Sequence, residues 1–182
     1  MKPLIYQIFT RLYGNKKHAN IPAGSIEENG CAKMNDITAK QLERIASMGF
    51  THVWFTGLIE HATQTDYSAY DIKPDHPAVV KGRAGSPYAI KDYYDIDPDL
   101  AVNVKQRMKE FNALLKRTHQ AGLKLVIDFV PNHVARQYNS DAHPKGVKDL
   151  GEGDDTTKAF DPNNNFYYLE GQTLHTNFDT ER

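Results

Sequence analysis

The stretch Leu123-Lys124-Leu125-Val126-Ile127-Asp128-Phe129-Val130-Pro131-Asn132-His133 decides the fold. It is an almost unbroken apolar run that ends on an acid, a proline and two polar side chains. Such a run is what a parallel strand carries when layers cover both its faces, so the reading is a buried strand over 123–130. An Asp inside that run must find hydrogen bonds or a cation, because an unpaired buried carboxylate is very costly. Asp128 is therefore either a structural anchor or part of a site. Pro131 holds the residue before it extended and so aims Asn132 and His133 beyond the strand end.

Working outward, the stretches before the strand alternate between two patterns. Leu4-Ile5-Tyr6-Gln7-Ile8-Phe9 reads as a first strand, followed by a Gly-, Asn- and Lys-rich connection from Gly14 to Gly30. Thr38-x-x-Gln41 fits a capping box, and Leu42, Ile45, Ala46 and Met48 recur at helical spacing before Gly49, which predicts a helix over 38–48. Thr51-His52-Val53-Trp54-Phe55-Thr56 gives a second strand. Asn103-x-x-Gln106 is placed to cap another helix, with Met108, Phe111, Leu114 and Leu115 facing inward and Gly122 as its stop. Between them, from Glu60 to Leu100, tyrosines are scattered among many Asp, Pro and Gly with no sustained period. This segment reads as one long functional loop. The order strand, helix, strand, helix, strand implies parallel pairing through right-handed crossovers, hence an α/β sheet or part of a barrel.

Bulk properties narrow the partners. Lys and Arg number 22 against 23 Asp and Glu in 182 residues, and neither sign gathers in a block, so neither nucleic acid nor an anionic membrane surface is expected. No run approaches the roughly 20 apolar residues of a membrane helix. The opening Met1-Lys2-Pro3-Leu4-Ile5 is too short to be a leader core. A cytoplasmic protein is expected, or a secreted one whose leader lies outside this sequence. The one cysteine, Cys31, excludes an internal disulfide framework and reads as a small hydrophobe.

Asp128-Phe129-Val130-Pro131-Asn132-His133 resembles the first signature region of the alpha-amylase family of glycoside hydrolases, which has Asp, three variable residues, Asn and His at the end of the third barrel strand. The neighbours resemble the same family in the same order. Ile5 to Phe9 is similar to its first strand, Met48 to Phe55 to its second, Tyr88 to Pro98 to the loop before its second helix, and His119 to Asp128 to the approach to its third. The resemblance covers residues 4–133 well and the rest weakly.

The resemblance implies the amino-terminal part of a (β/α)8 barrel, with residues 1–133 giving its first three strands and 134–182 beginning the inserted B-type domain. It implies that His133 hydrogen-bonds the glucose preceding the cleaved bond, and that Tyr88 stacks on the same glucose. The family's usual Gly-Tyr is here Ser86-Pro87-Tyr88. Asp128 becomes a buried organiser and Asn132 the position that binds Ca2+ in calcium-dependent members. The partner implied is an alpha-glucan or maltooligosaccharide.

The family's bond-breaking residues follow a Gly-x-Arg-x-Asp pattern on the fourth strand, a Glu ending the fifth and an Asp ending the seventh, and none of these patterns occurs here. Asn177-Phe178-Asp179 is too poor a match to substitute. Retaining glycosidases need two carboxyl groups about 5 to 5.5 Å apart, so this chain alone is expected to be inactive. It is also expected to self-associate, or to need the rest of the barrel, through the bare edges of strands one and three. Two other readings stay open: a non-catalytic amylase-like barrel that binds sugar or acts as a scaffold subunit, and an unrelated three-strand α/β binding domain.

Overall fold

The computed structural model describes residues 2–172 and 175. Three parallel strands form its main sheet: β1 (Ile5–Phe9), β2 (His52–Thr56) and, later in the chain, a strand at Lys124–Ile127, in the order first, second, last. In register, Phe55 of β2 stands beside Ile8 on one side and Ile127 on the other. The central strand buries Val53 and Phe55 completely.

Among the helices, α1 (Ile26–Asn29) is a single turn in the connection after β1, and α2 (Ala39–Ser47) starts where the capping box predicts. The Gln41 amide donates to Thr38 Oγ1 and the Thr38 amide to Gln41 Oε1 at 2.7 Å. Leu42 and Ile45 of α2 are buried, whereas Met48 stands 52% exposed past the helix end. Asn103 caps a separate 3-10 turn, and the long helix α3 (Arg107–Gln120) begins only after it.

The inward face of α3 differs from expectation. Glu110, Leu114 and Thr118 form the buried ridge, while Met108 is exposed. The reason is hydrogen bonding: the Glu110 carboxylate accepts from the amides of Val102 and Asn103, at 2.9 and 2.8 Å, and from Asn35 Nδ2 at 3.1 Å. Those donors turn a charged residue toward the core, as a satisfied buried carboxylate allows.

A second correction concerns the segment expected to be one long loop. It contains β3 (Ile59–His61) and β4 (Ile90–Ile96), paired antiparallel in a small sheet of their own. A third concerns the last parallel strand, β5, which spans only Lys124–Ile127 and is not covered on both faces. It has one neighbour, β2, so Ile127 is 39% and the following Phe129 73% exposed. Ile8, Met34, Ile37, Leu42, Ile45, Phe55, Leu114 and Leu123 meet between sheet and helices in the main core.

Candidate functional site

Beyond the carboxyl ends of parallel strands the backbone turns away and side chains from several strands converge, which is where α/β folds place ligands. Here the ends of β1 and β2 are laced together. Thr10 donates through Oγ1 to the Thr56 carbonyl at 3.0 Å, and Gln7 Nε2 to Thr56 Oγ1 at 2.8 Å.

Asp128 extends the lacing to β5. Its Oδ1 accepts from Trp54 Nε1 at 2.9 Å and its Oδ2 from the Gly57 amide at 3.1 Å. Asp128 is half-buried rather than buried, because β5 is a sheet edge. Gly57 has a φ of +80°, and a Cβ there would stand 3.0 Å from Pro87 Cβ. The turn that carries Tyr88 therefore lies directly over the strand end that Asp128 holds. Tyr88 itself is 42% exposed, with its amide donating to Ser86 Oγ at 3.3 Å.

The segment after β5 docks on β4. Tyr93 of β4 donates its hydroxyl to the Val130 carbonyl and lies 3.4 Å from that of His133. Its ring meets Phe129 and Tyr138 at centroid distances of 5.9 and 6.0 Å. The amides of Ala135 and Asn139 donate to Ile90 and Lys91 at 2.7 and 3.2 Å. Tyr93 thus holds the backbone that presents His133.

His133 and Asn132 are both exposed, and His133 Nδ1 lies 2.6 Å from Asn132 Oδ1. An amide oxygen only accepts, so Nδ1 carries the hydrogen and a neutral ring keeps Nε2 free to accept from a sugar hydroxyl. The same contact uses one of the two lone pairs of the Asn132 oxygen and leaves the other open.

Beneath this surface lie charges that the sequence reading left as structural. His61 Nδ1 is 2.8 Å from Asp97 Oδ2, and its Nε2 faces the Ala84 carbonyl at 3.2 Å. Burial alone would push His61 down, but Asp97 outweighs it and holds the imidazole above its ordinary value. Burial would likewise raise Asp97, and His61 with Arg11 holds it below the usual carboxylate range. Asp99 pairs with Arg11 and accepts from Tyr67 Oη at 2.6 Å. Lys91 pairs with Asp75 at 2.9 Å. Glu60 has no such partner among the described residues, and burial together with Asp141, Asp97, Asp92 and Asp95 pushes it up to about 9. Burial also lifts the Cys31 thiol to about 11, which keeps it protonated and unreactive.

A cavity of about 650 Å³ opens beside Arg11, Asn15, Glu27, Thr65 and Arg83, and none of Tyr88, Asp128, Asn132 or His133 lines it. Tyr88, Asn132 and His133 are instead exposed at the surface. Asn177-Phe178-Asp179 lies outside the described residues. No helix among the described residues is long and apolar enough to cross a membrane.

Comparison with known proteins returns one family model, the alpha amylase catalytic domain, matched over residues 7–173. A cyclomaltodextrin glucanotransferase from Bacillus sp. (strain 38-2) is 24% identical over 147 residues, which is 76% of this chain and 19% of that protein. Maltase 1 of Drosophila virilis is 25% identical over 170 residues, 88% of this chain and 21% of the relative. The amino acid transporter heavy chain SLC3A1 of Rattus norvegicus is 44% identical over a shorter stretch of 57 residues, 31% of this chain and 7% of that one. The chain thus spans about a fifth of the length of the relatives it matches broadly.

Proposed function

Because the chain belongs to the alpha-amylase family, we propose that it supplies the sugar-binding amino-terminal part of a retaining glycoside hydrolase or transglycosylase that acts on alpha-glucans. The three parallel strands are the first three of the family's eight-stranded barrel, and we assign 134–182 to the start of its inserted domain.

The observation that carries the reading is the position of Asp128 to His133. They follow the third parallel strand at its carboxyl end, with Asp128 fastened to β2 and His133 Nε2 left as an acceptor. In this reading the exposed ring of Tyr88 takes the apolar face of a glucose while His133 takes a hydroxyl, so carbon is buried without stranding polar groups. Bond cleavage belongs to carboxyl groups whose patterns this sequence does not contain.

The test compares this chain with the complete protein that includes it. The chain alone is expected to release no reducing sugar from starch or maltotriose, and the complete protein to release product of retained alpha configuration, followed by proton NMR. Turnover by the chain alone would sink the division of labour, and inverted product would sink the retaining mechanism.

A second reading, a non-catalytic amylase-like subunit, is favoured by the local likeness to a transporter heavy chain. A complete protein that binds maltooligosaccharide yet neither hydrolyses nor transfers it would decide for this one.

A further inference from the structure

The pairing of β3 with β4 puts Glu60 directly opposite Asp92, and the register slips on both sides of that one pair. Two acids facing each other across strands repel, and both are buried, at 1% and 0% exposure. A third acid completes the group. Asp141, from the segment after β5, brings its carboxylate so close that one oxygen from each of the three lies within 4.8 Å of the others.

Asp141 is delivered there by its own backbone. The amides of Asp141 and Ala142 donate to Asp92 Oδ2 at 3.0 and 3.1 Å, while Tyr94 donates to Asp92 Oδ1 at 2.7 Å. Glu60 is in the opposite condition: neither of its oxygens has a hydrogen-bond partner among the described residues. Arg107 pairs with Asp95 and reaches Asp141 at 3.1 Å.

A proton on Glu60 would give one of its oxygens something to donate and leave the other stranded. A cation bound by both Glu60 oxygens strands neither, and calcium sites commonly take one carboxylate in this bidentate way. Three carboxylates with no sulfur or imidazole select hard cations over soft ones. Asp141 is exposed where the other two are buried, so it gives the ion a path from solvent.

We propose that Glu60, Asp92 and Asp141 form a binding site for a hard divalent cation of the calcium class, distinct from Asn132. Such an ion joins β3 and β4 to the segment that follows His133, and backbone carbonyls and water complete its shell.

The test is calorimetric titration of CaCl2 and MgCl2 into the EDTA-stripped full chain, read beside the thermal midpoint. One ion per chain is expected, with a raised midpoint. Glu60→Gln should weaken binding by more than about tenfold, the least that loss of even an outer hydrogen-bond partner costs a metal site. Asp141→Asn, a change at an exposed position, should do the same, and Asn132→Ala should leave binding intact. The proposal is overturned if neither ion binds, if binding survives both acid substitutions, or if Asn132→Ala abolishes it. A higher midpoint for Glu60→Gln in EDTA, with no ion bound by the unsubstituted chain, would show a shared proton in place of the cation.

Discussion

The indole N–H of Trp54 donates to Asp128 Oδ1 at 2.9 Å, joining the middle of β2 to the residue that follows β5. The other Asp128 oxygen takes the Gly57 amide, so one carboxylate fixes two points of the neighbouring strand. Replacing Asp128 with Ala leaves both donors unpaired. A loss of about 1 to 3 kcal/mol is expected, the cost of stranding partly buried donors. Asp128→Asn keeps one acceptor oxygen and should lose less. Urea unfolding of the two variants checks the order, and equal losses would mean that the carboxylate acts by charge instead of as an acceptor.

Gly57 sits at a φ of +80°, with space for a Cβ limited by Pro87 at 3.0 Å. Gly57→Ala should cost about 1 to 2 kcal/mol from the backbone conformation alone. It should also move the Pro87-Tyr88 turn and weaken maltotriose binding by the complete protein more than it lowers stability at a remote site. Unchanged affinity beside a lowered thermal midpoint would separate Tyr88 from the sugar.

The buried pair of His61 and Asp97 predicts a stability that depends on pH in two directions. The folded pKa of His61 is raised, so its contribution is complete below 6.5 and is lost as pH climbs through the higher folded value. The folded pKa of Asp97 is lowered, so its contribution is present above 3.8 and disappears as pH falls through the lower folded value. The difference in unfolding free energy between the chain and Asp97→Asn should therefore peak in mildly acidic solution and shrink on either side. A difference that stays flat across that range would count against the ion pair.

Much of the parallel framework was legible because local signals agree with it. The Thr38 and Gln41 capping box, the Leu42 and Ile45 spacing and the apolar run at 123–127 each point to the element that forms. The antiparallel pair was not legible, because charged side chains are buried in it beside Ile59, Ile90 and Ile96. Lys91, Asp92, Asp95 and Glu60 look like loop residues until their surroundings are known. Two of them find partners far off in sequence, Asp75 for Lys91 and Arg107 for Asp95. The buried ridge of α3 was missed for a similar reason, since Glu110 turns inward for amides seven and eight residues earlier. At the candidate site, the strand-end position of Asp128 could be read from the apolar run. Its donors Trp54 and Gly57 lie 74 and 71 residues away and carry no local signal.

The two outer strands of the parallel sheet give the last prediction. β1 and β5 each have one neighbour, and they leave Ile5 50%, Phe9 40%, Ile127 39% and the adjacent Phe129 73% exposed. An edge with unpaired backbone groups and apolar side chains is a template for another strand. The chain on its own is therefore expected to self-associate, with a sedimentation coefficient that rises with concentration. A charge at such an edge blocks pairing, so Ile127→Lys should lower the association while leaving the circular dichroism of the helices unchanged. Phe129 is also in contact with Tyr93, and Phe129→Ser should loosen the segment leading to His133 as well, seen as faster proteolysis after residue 128. A chain that sediments as a monomer at every concentration, with Ile127→Lys indistinguishable from it, would show that these edges are not sticky in solution.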